Sequence, residues 1–153
     1  MEPDPNDRVV ANLLVVAQMV LVAAVAVAAW AHGPSGWPWV GWAVAIAGAL
    51  LGLWGGLALG AGLTASPLPN GRVPLRRTGP YAISRHPIYA AVLIVAAGAV
   101  VWSGGWVTAV AWVLLAALLW AKSEWEEYRL AQRFPEYEEY AAVTPRFLGL
   151  RRR

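Results

Sequence analysis

The chain has 153 residues, of which 59% are hydrophobic and 14% are charged, whereas soluble globular chains carry about 25% charged residues. This composition excludes an ordinary soluble domain and predicts a single all-α integral membrane domain over residues 1–153. The chain has no cysteine and only two, widely separated histidines, so it offers no disulfide framework, cysteine nucleophile or metal-ligand pattern. The net charge is +3, and no nucleic-acid partner is expected.

Four apolar runs follow one another along the chain, and they predict about four transmembrane helices. Residues 9–31 and 39–63 are long enough to cross a hydrocarbon core roughly 30 Å thick at about 1.5 Å of helix rise per residue. Residues 88–102 and 106–121 are shorter and are separated by a Ser-Gly-Gly turn. We interpret them as a tight transmembrane hairpin, with a re-entrant pair as the alternative. The first run is too long, and its leader too acidic, for a signal peptide, so we expect it to stay in the mature protein.

A stripe of glycines marks the second run. The residues are Gly48, Gly52, Gly56 and Gly60, one in every four positions. Such a stripe lets another helix approach closely, because helices in lipid associate through tight contact rather than through a hydrophobic drive. The stripe therefore predicts packing against a neighbouring span, with homodimerisation through this face as the alternative.

Positive charge lies on one side of the predicted topology. Residues 64–87 contain four arginines and no acidic residue, and the tail after residue 121 contains seven basic residues. Residues 32–38 and 103–105 contain neither lysine nor arginine. The positive-inside rule then predicts that the central loop and both termini face the cytoplasm.

The densest polar cluster lies where the central loop meets the third apolar run, at residues 78–89, which read TGPYAISRHPIY. Ionisable residues at the edge of a membrane are costly and therefore indicate a functional site. Pro87 suits the first turn of a helix, whose free N–H groups attract anionic ligand groups, and Arg85 adds positive charge there. Contact with lipid phosphates is the alternative for Arg85.

The C-terminal tail is predicted to be helical, cytoplasmic or interfacial. Residues 122–133 should continue the fourth helix beyond the membrane and carry Glu126 and Glu127 close to the membrane mouth. A Phe-Pro break ends this helix, and a short segment follows in which aromatic residues recur every three positions. This amphipathic pattern is suited to a membrane interface. A solvated face with Glu–Arg pairs is the alternative for the acidic residues.

The polar segments resemble a known family. TGPYAISRHPIY, followed about forty residues later by EEYRLAQRFPEYEEY and then TPRF, is similar to the isoprenylcysteine carboxyl methyltransferase family, which is related to the phospholipid N-methyltransferases. The resemblance covers residues 73–148. The chain departs from the family at Ala91 and Pro135, where the family usually has glycine.

The resemblance implies an enzyme that uses S-adenosylmethionine, bound between the central loop and the tail at about residues 73–89 and 122–148. Its acceptor would be lipophilic: a prenylcysteine carboxylate, a phospholipid amine, or a small lipophilic thiol or phenol. Membrane lipids would be its other partners. The implied catalytic residues are Arg85, His86 and Glu127. The implied cofactor-binding residues are Val73, Pro74, Leu75, Arg76, Tyr81, His86, Pro87, Ile88, Tyr89 and Glu127.

Two other classes remain open from the sequence. Membrane sterol reductases share a similar His-Pro-x-Tyr segment and bind NADPH, although they need a longer chain with more spans. A non-enzymatic membrane scaffold joined through the glycine stripe would not need the cluster of charged residues.

Overall fold

The computed structural model describes residues 5–35, 37–63 and 74–148. Within these ranges the chain is helical and contains no strand, in agreement with the predicted all-α class. The α-helices are α1 (Pro5–His32), α2 (Pro38–Leu59), α3 (Pro87–Ser103), α4 (Trp106–Arg133) and α5 (Tyr137–Val143). Short 3₁₀ turns occupy Gly60–Gly62 and Gly79–Ala82.

Proline and glycine set the helix boundaries. Helices α2 and α3 begin at Pro38 and Pro87, where a missing N–H costs nothing because the first helical N–H groups have no intrahelical partner. Helix α3 ends before Gly104, whose φ of 64° is left-handed and whose N–H donates to the carbonyl of Val100 at 2.8 Å. Helix α4 runs without interruption to Arg133, which confirms that the fourth apolar run continues as a helix into the tail.

Three helices, α1, α2 and α4, are long and apolar enough to cross a membrane. Helix α3 is apolar but has 17 residues, which corresponds to roughly 26 Å at the usual helical rise. A full crossing by α3, and with it the count of four spans, therefore stays a prediction. Large apolar side chains such as Val27, Leu57 and Trp106 are exposed. This outward display of apolar groups fits an integral membrane protein.

The closest helix pair is α2 with α3, and glycine makes the approach possible. A Cβ atom at Gly48 would lie 2.8 Å from the Val95 nitrogen, and one at Gly52 would lie 3.2 Å from the Ala91 Cβ. Both distances are shorter than ordinary van der Waals contact, so these glycines face α3. Gly48 and Gly52 of the stripe are therefore used for packing inside the chain, and homodimerisation through this face is not supported.

Helix α3 lies at the centre of the bundle and contacts α1, α2 and α4. The buried core contains Val25 of α1, Ala96 of α3, and Leu115 and Leu119 of α4. The indole Nε1 of Trp112 adds a hydrogen bond from α4 to the Leu93 carbonyl of α3 at 2.9 Å. This packing holds the first residues of α3 beside the second half of α4.

The two ends of the bundle differ in chemistry. At one end, Asp7 of α1 forms an ion pair with Arg129 of α4, so the start of α1 and the end of α4 lie on the same side. At the other end, the Ser35 N–H donates to the Trp102 carbonyl at 2.8 Å. An apolar cleft of about 280 Å³ opens at this second end, between Trp30, Trp42 and Trp102. The cleft is remote from the polar cluster described below.

Candidate functional site

The 3₁₀ turn Gly79–Ala82 brings the central loop back to the start of α3. Pro80 and Tyr81 are buried in this turn, and the buried Ser84 hydroxyl accepts a hydrogen bond from the His86 N–H at 3.1 Å. The His86 carbonyl accepts from the Ala90 N–H and thereby opens α3. These contacts fix Arg85 and His86 at the helix start, as the sequence predicts.

Arg85 joins three parts of the chain. Its Nε and Nη2 atoms donate to the two carboxylate oxygens of Glu127 on α4, each at 3.0 Å. Its Nη1 donates to the carbonyls of Ala141 and Thr144 at 2.8 Å each. Only 11% of the Arg85 side chain and 13% of the Glu127 side chain are exposed. A bidentate arginine–carboxylate pair in such a sheltered position is both strong and directional, so Arg85 is not simply a lipid-phosphate contact.

Glu127 is the centre of the cluster, because three other side chains contact it. Besides Arg85, Arg146 donates from Nε and Nη2 at 3.1 Å and 3.0 Å, and His86 Nε2 lies 3.0 Å from Oε1. A carboxylate can only accept, so the proton of the last bond belongs to Nε2. A carboxylate has about four lone-pair positions, and five donors from the described residues converge on this one, three of them on Oε1. Glu127 therefore organises two guanidinium groups and an imidazole around itself.

The neighbouring Glu126 has different partners and faces Tyr89. The Tyr89 hydroxyl donates to Glu126 Oε2 at 2.7 Å, and His86 Nδ1 lies 3.7 Å from the same oxygen. The rings of His86 and Tyr89 are stacked, 5.2 Å apart and 2° from parallel. His86 thus lies between the two glutamates of the tail pair, with one ring nitrogen towards each.

The segment after α5 completes the cluster and forms a strap, residues 144–147, over the start of α3. The Arg85 N–H donates to the Pro145 carbonyl at 2.9 Å, and the His86 N–H donates to the Arg146 carbonyl at 3.0 Å. Phe147 places its ring edge-on to those of His86 and Trp120. The strap therefore holds the site-bearing loop through backbone bonds as well as side chains.

Arg146, like Glu126, belongs to the cluster but is not among the implied site residues. It lies inside the predicted cofactor region, and its Nη1 also donates to Glu124 at 3.1 Å. Burial alone would lower the pKa of the Arg146 guanidinium, but its hydrogen bonds to Glu127 and Glu124 outweigh burial and raise that pKa. Its guanidinium also lies 4.6 Å from the centre of the Trp120 ring. The TPRF motif was the available signal, since it puts an arginine next to an aromatic residue.

Helix α5 turns two tyrosines inward, and its position at a membrane interface stays a prediction. Tyr137 and Tyr140 are 3% and 5% exposed, and the Tyr140 hydroxyl donates to the Tyr81 carbonyl at 2.6 Å. The predicted period of three holds for these two tyrosines, whereas Val143 is exposed. The 3₁₀ turn supplies the Tyr140 hydroxyl with an acceptor that lipid lacks, and Arg85 binds the Ala141 carbonyl of α5. The buried Tyr137 hydroxyl has no hydrogen-bond partner within the described residues.

The remaining predicted site residues have different positions. Ile88 faces α2, where a Cβ at Gly55 would meet its side chain at 3.0 Å, and Pro87 is buried at the helix start. Pro74, Leu75 and Arg76 lie in an irregular segment, with Pro74 and Arg76 exposed, and their contact with a cofactor stays a prediction. Val73 lies outside the described residues.

Buried tyrosines predict a loss of stability in alkali. Burial, and then the charge of Glu126, raise the pKa of Tyr81 to about 12, whereas an unfolded tyrosine titrates near 10. Between these pH values the tyrosine hydroxyl loses its proton in the unfolded state but keeps it in the folded state. The free energy of unfolding therefore falls as pH rises from about 10 to 12, by up to about 1.4 kcal/mol per pH unit for each such tyrosine. Burial also raises the pKa of Tyr140. Melting temperatures of the wild type and Tyr81→Phe across this range should diverge, with the shallower slope in the variant. Parallel slopes would contradict the prediction.

Comparison with known proteins agrees with this arrangement. The phospholipid methyltransferase family model, PEMT, matches residues 37–137, from just before α2 to the first residue of α5, and so includes Arg85, His86, Tyr89 and both glutamates. Searches of curated proteins and of solved structures found no significant match. The family match covers more than half of the chain, and the chain therefore belongs to the phospholipid methyltransferase family, within the broader group that also includes the isoprenylcysteine methyltransferases.

Proposed function

We propose that this protein is an integral membrane methyltransferase that uses S-adenosylmethionine to methylate a lipophilic acceptor. The proposal rests on one observation above all. The start of α3, the polar half of α4 and the strap converge so that two arginines, a histidine and a tyrosine each lie within hydrogen-bonding distance of one of two adjacent glutamates. That cluster is located within the part of the chain that carries the family resemblance.

The residues present fit the chemistry of the proposed cofactor. S-adenosylmethionine supplies a methyl group already activated on a sulfonium cation, next to an ammonium and a carboxylate. Arg146 is better suited than Arg85 to a cofactor carboxylate. Within the described residues its Nη1 contacts only the exposed Glu124, whereas Arg85 already donates to Glu127 and to two backbone carbonyls. Glu126 suits an ammonium or a ribose hydroxyl, and its side chain is 25% exposed, against 13% for Glu127. The exposed ring of Trp120 suits a sulfonium cation better than that of Tyr89, because the Tyr89 ring already contacts His86 and the Lys122 ammonium.

The role proposed for the chain is alignment. Methyl transfer needs donor and acceptor in line, and holding two reactants in such a geometry can supply much of a rate enhancement. Arg85, His86 and Glu127 hold one another in place, and the strap covers them from water. A phospholipid amine would release a proton on methylation, and Glu126 or His86 is placed to accept it. A prenylcysteine carboxylate would release none.

Each of these two acceptors is favoured by a different observation. The TGPYAISRHPIY and EEYRLAQRFPEYEEY segments favour a prenylcysteine carboxylate, whereas the family match favours a phospholipid amine. Both acceptors carry hydrocarbon chains, which suits an enzyme whose surface is apolar. Transfer of a labelled methyl group to phosphatidylethanolamine vesicles and to a farnesylated cysteine derivative distinguishes them.

Cofactor titration tests the proposal directly. S-adenosylmethionine should raise the melting temperature of the detergent-solubilised protein, because a ligand at about 100 times its Kd stabilises the folded state by about 2.7 kcal/mol. His86→Ala should reduce this shift, since it removes a ring that contacts both glutamates. NADPH is the control ligand and should produce no shift. Stabilisation by NADPH alone would instead support a reductase, and no shift with either ligand would favour a scaffold.

The proposed orientation places the cluster and both termini in the cytoplasm, in accordance with the charge distribution. The chain has no cysteine, so a single introduced cysteine reports its own side. We expect a membrane-impermeant thiol reagent to label Thr78→Cys from the cytoplasmic side and Pro34→Cys from the opposite side, since both positions are exposed. Labelling of both from one side would contradict the proposed topology.

A further inference from the structure

Helix α1 lies outside the segment that matches the family, yet two of its polar side chains contact the site-bearing helix α4. Asp7 forms a bidentate ion pair with Arg129. Farther along α1, the Gln18 Oε1 accepts a hydrogen bond from the Lys122 ammonium at 2.6 Å. A polar side chain in an apolar span is costly and usually functional. Gln18 therefore calls for an explanation beyond helix packing.

Lys122 connects Gln18 to the candidate site. It is 1% exposed, and its ammonium lies 5.1 Å from the centre of the Tyr89 ring. A cation over an aromatic face is attracted by the ring electrons, more strongly when water is excluded. The same Tyr89 ring stacks on His86 and donates its hydroxyl proton to Glu126. A continuous series of contacts thus runs from Gln18 through Lys122 and Tyr89 to Glu126.

We propose that Gln18 is a positioning residue, which acts through Lys122 to hold Tyr89 and Glu126 in the orientation that binds the methyl donor. The inference rests on the proposed function, since it assumes that Tyr89 and Glu126 face S-adenosylmethionine. An ammonium has three donors on a flexible stem, and the Gln18 Oε1 binds one of them from α1. Lys122 and Glu126 are four residues apart on α4, a spacing at which side chains meet. Loss of the Gln18 acceptor would therefore shift the ammonium relative to the Tyr89 ring and the Glu126 carboxylate.

Calorimetric binding of S-adenosylmethionine to the full-length protein in detergent tests this inference without knowledge of the acceptor. Gln18→Leu should weaken binding about tenfold, the effect of losing one hydrogen bond to a charged group. Gln18→Glu keeps an acceptor oxygen at the same reach, so it should bind within about threefold of the wild type on the same reasoning. Asn12→Leu is the matched control, because Asn12 lies on the exposed face of the same helix, and it should bind like the wild type.

A double-mutant cycle separates positioning from simple packing. Tyr89→Phe removes the hydroxyl that contacts Glu126, and it should weaken binding by itself. If Gln18 acts through Tyr89, adding Gln18→Leu to Tyr89→Phe should cause little further loss, because coupled residues are not additive. Fully additive losses would mean that Gln18 acts by another route and would overturn the inference.

The outcomes also separate this inference from the proposed function. Failure of the wild type to bind S-adenosylmethionine would overturn the proposed function and this inference together. If the wild type binds S-adenosylmethionine and Gln18→Leu binds it with the same affinity, only the role of Gln18 would be overturned. Melting temperatures check that the variants fold. If Gln18→Leu does not fold, Gln18→Asn replaces it, since its shorter side chain keeps the amide but not the reach, and it should show the same tenfold loss.

Discussion

Glu127→Gln is expected to lower the melting temperature and to weaken S-adenosylmethionine binding more than any other single change in the cluster. The substitution keeps the size of the side chain but removes the negative charge shared by Arg85 and Arg146. Breaking a buried ion pair costs about 3–5 kcal/mol, because the remaining charge loses its partner in a poorly solvated place. The side chains of both ion pairs remain slightly exposed. The expected loss in the free energy of unfolding is therefore about 3 kcal/mol, the lower end of that range.

Glu124→Gln is the matched control for that experiment. Glu124 also contacts Arg146, at 3.1 Å, but 57% of its side chain is exposed. Exposed ion pairs contribute little, so the control should melt within a few degrees of the wild type and bind the cofactor normally. Cofactor affinity should fall about a hundredfold in Glu127→Gln, the factor that corresponds to about 3 kcal/mol. Equal behaviour of the two variants would show that Glu127 does not organise the site.

The second large effect is expected at the α2–α3 contact. In Gly48→Ala, the new Cβ would lie 2.8 Å from the Val95 backbone nitrogen and 3.0 Å from the Ala91 carbonyl oxygen. Backbone atoms cannot move aside as a flexible side chain can, so the helices must separate. Overpacking of this kind costs about 1–3 kcal/mol, which exceeds the roughly 0.5–1 kcal/mol that alanine gains over glycine within a helix. The melting temperature in detergent should fall.

Gly56→Ala makes this prediction specific. Gly56 belongs to the same stripe, but a Cβ there would meet only the Leu63 side chain, at 3.7 Å, which is an ordinary contact. The variant should therefore be as stable as the wild type or slightly more stable. Loss of stability at Gly48 but not at Gly56 is the pattern of packing inside one chain. Equal loss at both positions, together with a change in oligomeric state, would instead indicate an interface between copies.

Much of the fold could be predicted from local signals. Pro87 and Gly104 bound α3 where the sequence places its ends, and the Phe134–Pro135 pair ends α4. The hydropathy of α1, α2 and α4 predicts helices long enough to cross a membrane. These features depend on backbone chemistry and on the spacing of apolar residues. Both can be read from residues that are close together in the sequence.

The details of the site depend on contacts between distant positions, and local patterns do not contain them. Arg146 meets Glu127 because the strap returns across the start of α3, and nothing in the tail alone specifies that return. The inward turn of Tyr140 has the same origin, since its partner, the Tyr81 carbonyl, lies 59 positions earlier. The membership of Arg85 and Glu127 in one site was predicted from composition at the membrane edge and from the resemblance, but their direct bidentate pairing was not.

The strap has a consequence for how the protein is made. The Pro145 and Arg146 carbonyls bind the backbone of residues 85 and 86, so those bonds form only after synthesis has passed both apolar helices of the hairpin. Insertion into the bilayer and completion of the site are therefore separate events, with the site last. A chain still being translated at α4 would already carry its apolar helices, but its cluster of Arg85, Glu127 and Arg146 would not yet be assembled.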